Sequence, residues 1–254
     1  MIIAIAGATG TVGRHITRAA LARGHEVRLL SRREGVDVAG GEGLDAALDG
    51  SAAVIDALGT STLSQRKAVA FFSTTTRNLL AAEQRHGIGH HLALSIVGID
   101  GIDTAYYAGK LAQERLVAAG PVPHTIARTT QFHEFAEQIA VRAALGPIVL
   151  APRTLTRPVA AREVGVHLVE LAEAGPSGRA PDLIGPRDET LVGMIRRMHA
   201  HDGIRRPVID WRMPGAYGAG LASGALRGGS AADAPQRVGA QTFDAWLDAP
   251  EHRR

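Results

Sequence analysis

Three glycines recur at intervals of three in Gly7-Ala8-Thr9-Gly10-Thr11-Val12-Gly13, directly after the apolar run Met1 to Ala6 and directly before the helical pattern Val12 to Arg23. Strand, glycine turn and helix in this order form a cradle for a diphosphate. Gly7 permits the tight turn, Gly10 lets backbone approach the phosphates with no Cβ in the way, and Gly13 lets the helix sit close to the strand. Thr9, Thr11 and Val12 complete the loop, and the N–H groups and positive dipole end of the helix face the anion. A second predicted strand, His25 to Leu30, ends in Ser31-Arg32-Arg33. In a dinucleotide fold this is where the adenosine ribose is read. A carboxylate there would accept from the 2′-hydroxyl of NAD, whereas the paired N–H donors of Arg32 and Arg33 suit the 2′-phosphate of NADP. NADP(H) is therefore expected in preference to NAD(H).

A different chemistry is available at Tyr106-Tyr107-Ala108-Gly109-Lys110. Residues four apart at a helix start share one face, so Tyr106 and Lys110 can exchange influence on a proton. A free phenol titrates near pH 10, and a neighbouring ammonium lowers this by stabilising the phenolate. Lys110 could also donate to the nicotinamide ribose. Tyr107, three from Lys110, competes for the phenol role on spacing alone. Ser95 closes the preceding strand and could donate to a substrate carbonyl oxygen.

These residues need a scaffold that gathers strand ends. Apolar runs predict strands over 1–6, 25–30, 36–38, 52–58, 91–97 and 125–128, alternating with helices over 12–23, 44–48, 61–86 and 106–119. The alternation and short connections predict an α/β fold with a doubly wound parallel sheet, helices on both faces and ligands at the carboxyl ends of the strands. The dinucleotide part spans 1–130. A smaller substrate lobe over 131–254 is expected to interleave with it in one structural domain. It should contain short strands at 157–160 and 181–185, and helices over 163–174, 189–201 and 241–247. Gly215 to Gly229 reads as a mobile loop or partly helical lid.

Composition narrows the function classes. The chain has 254 residues, no cysteine and a formal net charge of +3, so disulfides, thiolate metal sites and cysteine nucleophiles are excluded. Basic residues are scattered among acidic ones without aromatic interleaving, which argues against nucleic acid. No segment reads as a signal peptide or membrane span, and a cytoplasmic protein with a small-molecule substrate is expected. Lysine occurs only at Lys67 and Lys110. The histidines form no metal-ligating pattern: His90 and His91 point to opposite sides of a strand, His199 and His201 have no carboxylate at ligand spacing, and His133-Glu134 lacks the second histidine of a zinc helix. Any homodimer is expected to use the exposed faces of the 61–86 and 106–119 helices.

Taken together, the glycine loop, Arg32, Ser95, Tyr106 with Lys110, and Thr129-Thr130-Gln131-Phe132 resemble the short-chain dehydrogenase/reductase superfamily, specifically its NmrA-like branch, over essentially the full length. The resemblance implies a Rossmann fold that binds a nicotinamide dinucleotide. It also implies a nicotinamide and substrate pocket lined by the segment containing Gln131 and Phe132, with His133 either at that pocket or at the surface. Members of this branch divide between hydride-transferring enzymes, with Ser95, Tyr106 and Lys110 as the catalytic set here, and redox sensors that bind the dinucleotide without turnover. A third possibility on the same fold is epimerisation or dehydration, with the hydride returned to the same molecule.

Overall fold

The computed structural model describes residues 1–229 and 235–252. The chain divides into two units. The first comprises Met1–Ser95, Asp103–Arg128 and Arg162–Ala180. Its strands are β1 (Ile2–Ala6), β2 (Glu26–Leu30), β3 (Ala53–Asp56), β4 (His90–Ile96) and β5 (His124–Thr129), in the order β2-β1-β3-β4-β5, with Gly178–Arg179 pairing beyond β5. β1 runs parallel to both β2 and β3, and β3 parallel to β4. The fold is thus α/β around a parallel sheet flanked by helices, as the sequence predicts. The strand order reverses direction between β1 and β3, and ligands of such sheets bind at that switch point.

Helices α1 (Gly13–Ala22), α2 (Leu44–Leu48), α3 (Gln65–Arg85), α4 (Ala105–Ala118) and α6 (Ala161–Ala174) belong largely to this unit. Strand alternation sends Ala4, Ala6 and Val54 into a core with Leu44 and Leu48 of α2 and Leu79 and Ala82 of α3. Ile3 and Ile5, wholly buried, face the other way. α1 and α6 approach closely enough that a Cβ on Gly165 would lie 2.7 Å from the carbonyl carbon of His15. The predicted strand at Val36–Val38 is absent: Asp37 makes one isolated bridge to Glu42, and Val36 and Val38 instead pack into the α2–α3 core. Three residues between glycine turns bury two side chains without needing a ladder.

The second unit comprises Ile96–Ile102, Thr129–Ala161 and Pro181–Arg254. Its core joins α5 (Phe135–Arg142), α7 (Leu191–His201) and α9 (Phe243–Leu247) through Ala136, Met194, Ile195, Phe243 and Trp246. Thr190 caps α7 by accepting from the Gly193 N–H, so the predicted helix starts two residues late. Asp182–Ile184 pairs in parallel with Gln236–Val238, and Leu183 pairs with Thr129. The strand expected at 157–160 is displaced to Leu155–Thr156, leaving Val159 one bridge to Phe132, because Pro158 has no N–H to donate to a ladder. Gly215–Ala222 forms the helix α8, followed by a 3-10 turn at Ala225–Arg227. A Cβ on Gly220 would stand 2.5 Å from Ile102 Cγ2 and one on Gly218 1.9 Å from the Met213 oxygen, so these two glycines serve close packing. Residues 230–234 of the sequence around this segment lie outside the described residues. Among the described residues no helix is long and apolar enough to cross a membrane.

Candidate functional site

The register Ala6↔Leu30 and Ala6↔Asp56 sets three strand ends side by side, so Gly7, Ser31 and Ala57 begin neighbouring loops. Gly7 has φ +78°, and a Cβ there would fall 2.6 Å from the Ala57 oxygen. Only glycine fits this crossing of the first loop against the end of β3. The Gly10 N–H donates to the Gly7 carbonyl at 2.9 Å, closing the turn. A Cβ on Gly13 would stand 2.0 Å from that same oxygen and 2.6 Å from Ala8 Cα. Gly13 is therefore required by the loop folding back on itself, rather than by helix–strand spacing. Thr9 and Gly10 form the exposed tip, while Ala8 and Val12 are buried beneath it. No side-chain oxygen caps α1 and no acidic residue lies in its first turn. The positive end of the helix is thus left to an external anion, and the cradle fits a diphosphate.

Arg32 and Arg33 occupy a 3-10 turn after Ser31, both exposed and with no ion-pair partner among the described residues. Their charge is available to a ligand.

The second half of the first unit's site lies where α3 and α4 meet. A Cβ on Gly109 would be 2.7 Å from Phe72 Cδ2, so α4 lies tight on α3. The buried Arg128 guanidinium holds Glu114 with two bonds of 2.7 and 2.6 Å, fixing α4 against β5. Phe72 meets the Tyr106 ring edge-on at 5.5 Å and carries the Lys110 ammonium 4.6 Å over its face. Tyr106 is half-buried, and its hydroxyl oxygen lies 3.6 Å from where a Cβ on Gly59 would stand. Tyr107 is only 3 % exposed. Ala105, just before them, has φ +50°, a left-handed conformation that costs a non-glycine residue roughly 1–2 kcal/mol. The strained backbone sits at the start of the Tyr106 helix.

Lys110 is also almost fully buried. Its Nζ donates to Gln113 Oε1 at 2.5 Å, and Gln113 Nε2 donates to Asp56 Oδ2 at 2.7 Å. Asp56 Oδ1 accepts from the Leu58 N–H at 3.0 Å. Burial lowers the Lys110 pKa to about 8, against the opposing pull of Asp56 and Glu114. Gln113 and Asp56, neither exposed at all, hold the Lys110 ammonium and are residues of this site that sequence reasoning passes over. The signals available were a lone carboxylate closing an apolar strand and a polar residue one helical turn beyond Lys110. Ser95 is 1 % exposed, and its Oγ is buried with no hydrogen-bond partner among the described residues. A buried hydroxyl without a partner is costly and marks a position for a ligand or a water.

The remaining predicted residues belong to the second unit. Gln131 and Phe132 are half-buried, and Phe132 bridges Val159. Thr130 Oγ1 accepts from the Gly185 N–H at 3.2 Å. His133 is fully buried rather than at the surface, with Nε2 donating to the Gln241 carbonyl at 3.0 Å and its ring against Phe243 and Trp246. Burial pushes its pKa down to about 4, outweighing the carbonyl contact. In the unfolded chain the imidazole takes up a proton near pH 6.5, so stability is lost as pH falls from about 6.5 to 4 and levels off below. The loss is expected to be roughly 3 kcal/mol, measured by urea unfolding across that range. His133→Phe should flatten the profile; an unchanged profile would refute this account.

Residues 7–147, more than half of the chain, match the family model described as NAD(P)H-binding. The chain belongs to this NAD(P)H-binding family. No curated protein matches its sequence. Among solved structures, this NAD(P)H-binding protein is similar to a nucleoside-diphosphate-sugar epimerase from Staphylococcus aureus, at 17% identity and TM-score 0.66, covering 98% of this chain and 100% of that one. It is also similar to an NADPH-dependent quinone oxidoreductase from Escherichia coli, at 16% identity and TM-score 0.68, covering 97% and 98%. The NADPH complex of that oxidoreductase gives 17% and 0.65, over 90% and 92%. At these identities the likeness is one of fold.

Proposed function

We propose that the protein is an NADP(H)-dependent oxidoreductase of the short-chain dehydrogenase/reductase type, in its NmrA-like branch, acting on a small carbonyl or quinone-like substrate. The observation that carries this reading is the adjacency of the Gly7–Gly13 cradle to two exposed guanidiniums, Arg32 and Arg33, without ion-pair partners among the described residues. A nicotinamide bound there would supply or accept a hydride. Tyr106 then holds the proton for the substrate oxygen, because its hydroxyl lies beside Gly59 while Tyr107 is buried. Lys110 packs on the same Phe72 ring as that tyrosine, and the Gln113–Asp56 chain anchors its ammonium. Ser95 offers the unsatisfied hydroxyl as donor to the oxygen of the substrate.

Two measurements test this. NADPH should bind more tightly than NADH, and Arg32→Ala with Arg33→Ala should weaken NADPH by about tenfold or more while leaving NADH unchanged, as expected for charge-assisted bonds of about 1.5–3 kcal/mol. Equal loss for both nucleotides would sink the 2′-phosphate assignment. The pure protein should also consume NADPH with a panel of ketones or quinones.

A second reading is favoured by the epimerase likeness over the whole chain. Here the substrate, a sugar nucleotide or similar compound, changes with no net NADPH consumption. Were the protein a redox sensor instead, neither change would occur, and a protein partner would prefer one oxidation state of the bound dinucleotide.

A further inference from the structure

The sequence assigns no carboxylate to His199 and His201, yet the fold gives His201 two. His201 ends α7 and Asp202 follows it as the C-cap, while the C-terminal turn after α9 brings His252 across from fifty residues away. His201 Nδ1 and His252 Nε2 both point at Asp202 Oδ1, each at 2.8 Å, and the three ligand atoms lie within 4.8 Å of one another. Both contacts are at hydrogen-bond distance; opening them by about 0.5 Å, to the roughly 3.3 Å between neighbouring ligands of a tetrahedral ion with bonds of about 2.0–2.2 Å, would let one cation replace the two protons.

We propose that His201, Asp202 and His252 form a binding site for a divalent transition metal of the zinc class. Imidazole and carboxylate suit zinc, cobalt or nickel rather than magnesium or calcium. Two further observations favour it. His201 Nε2, the nitrogen turned away from Asp202, lies 3.4 Å from Asp248 Oδ1. A carboxylate on the distal nitrogen fixes tautomer and ring orientation in histidine–metal sites. His252 is held in place as well: its ring lies 4.6 Å from that of the buried Trp246, and its Nδ1 is buried, so Nε2 alone is presented. His201 and Asp202 remain about a quarter exposed, which leaves a side open to water as fourth ligand. A metal here would tie the C-terminal turn to α7. The inference rests on the second unit alone and is independent of the dinucleotide reading.

The test uses the full chain, purified without a histidine tag and with no nucleotide. Zn2+ should bind one to one at micromolar concentration by calorimetry. Co2+ should give visible d–d absorption and quench Trp246 fluorescence. His252→Ala and Asp202→Asn should each weaken Zn2+ at least tenfold, and Asp248→Asn by less, with far-UV dichroism checking the fold. His252→Gln serves if the alanine variant unfolds, and His124→Ala, outside the cluster, should bind as the parent does. Absence of binding below millimolar Zn2+, or affinity unaltered in the His252 and Asp202 variants, would overturn the proposal.

Discussion

Gly13→Ala is expected to abolish dinucleotide binding and to destabilise the fold by about 3 kcal/mol, the upper part of the range for overpacking. The added methyl would stand 2.0 Å from the Gly7 oxygen and 2.6 and 2.7 Å from Ala8 Cα and carbonyl carbon. All three are backbone atoms, so no rotamer change relieves the clash and the loop itself must open. Gly10→Ala separates binding from folding. Its Cβ would meet only the Gly7 oxygen, at 3.2 Å, and it lies at the exposed tip. That variant should keep nearly parental stability in urea while losing nucleotide affinity, because the new methyl occupies the face that phosphate must approach. A Gly10→Ala protein that binds NADPH as the parent does would place the phosphates elsewhere.

Lys110→Met should lower turnover at least a hundredfold, the scale of a lost proton-transfer partner, with nucleotide affinity changed by much less. Methionine keeps the length and the contact with Phe72 but removes the charge. Its effect on stability depends on pH in a definite direction. The folded-state pKa of Lys110 is lowered from 10.5 to about 8 by burial, so the unfolded chain binds the extra proton between those values. The cost of burying the ammonium is fully present below pH 8 and disappears as pH rises toward 10.5. Wild-type stability should therefore gain on that of Lys110→Met across this interval in paired urea melts. Turnover of the wild type should fall with a midpoint near pH 8, as the folded protein loses that ammonium. A turnover profile flat through pH 8 would remove Lys110 from the chemistry.

Gln113 explains why this lysine is difficult to interpret from spacing alone. The Tyr106–Lys110 interval puts both on one helix face, and the structure keeps them there, both against Phe72. Where the ammonium points is decided by a partner on its own helix and a carboxylate at the end of β3, fifty-four residues earlier. Tyr106 and Tyr107 are likewise equivalent on paper. Packing of α4 on α3 separates them, burying one and leaving the other half-open beside Gly59.

The sequence by itself determined what is local or periodic: the apolar strands, the helices between them, the parallel α/β sheet and the glycine turn, whose torsion and close approach no other residue tolerates. These follow from side-chain alternation and backbone sterics within a few residues. Only the tertiary structure decided what depends on partners distant in the chain. It placed Val36 and Val38 in a core instead of a strand, buried His133 under Phe243 and Trp246, left Ser95 Oγ unsatisfied, and carried His252 to Asp202. Burial and charge pairing are sums over neighbours that only folding brings together, and the order of residues along the chain does not say which of them will meet.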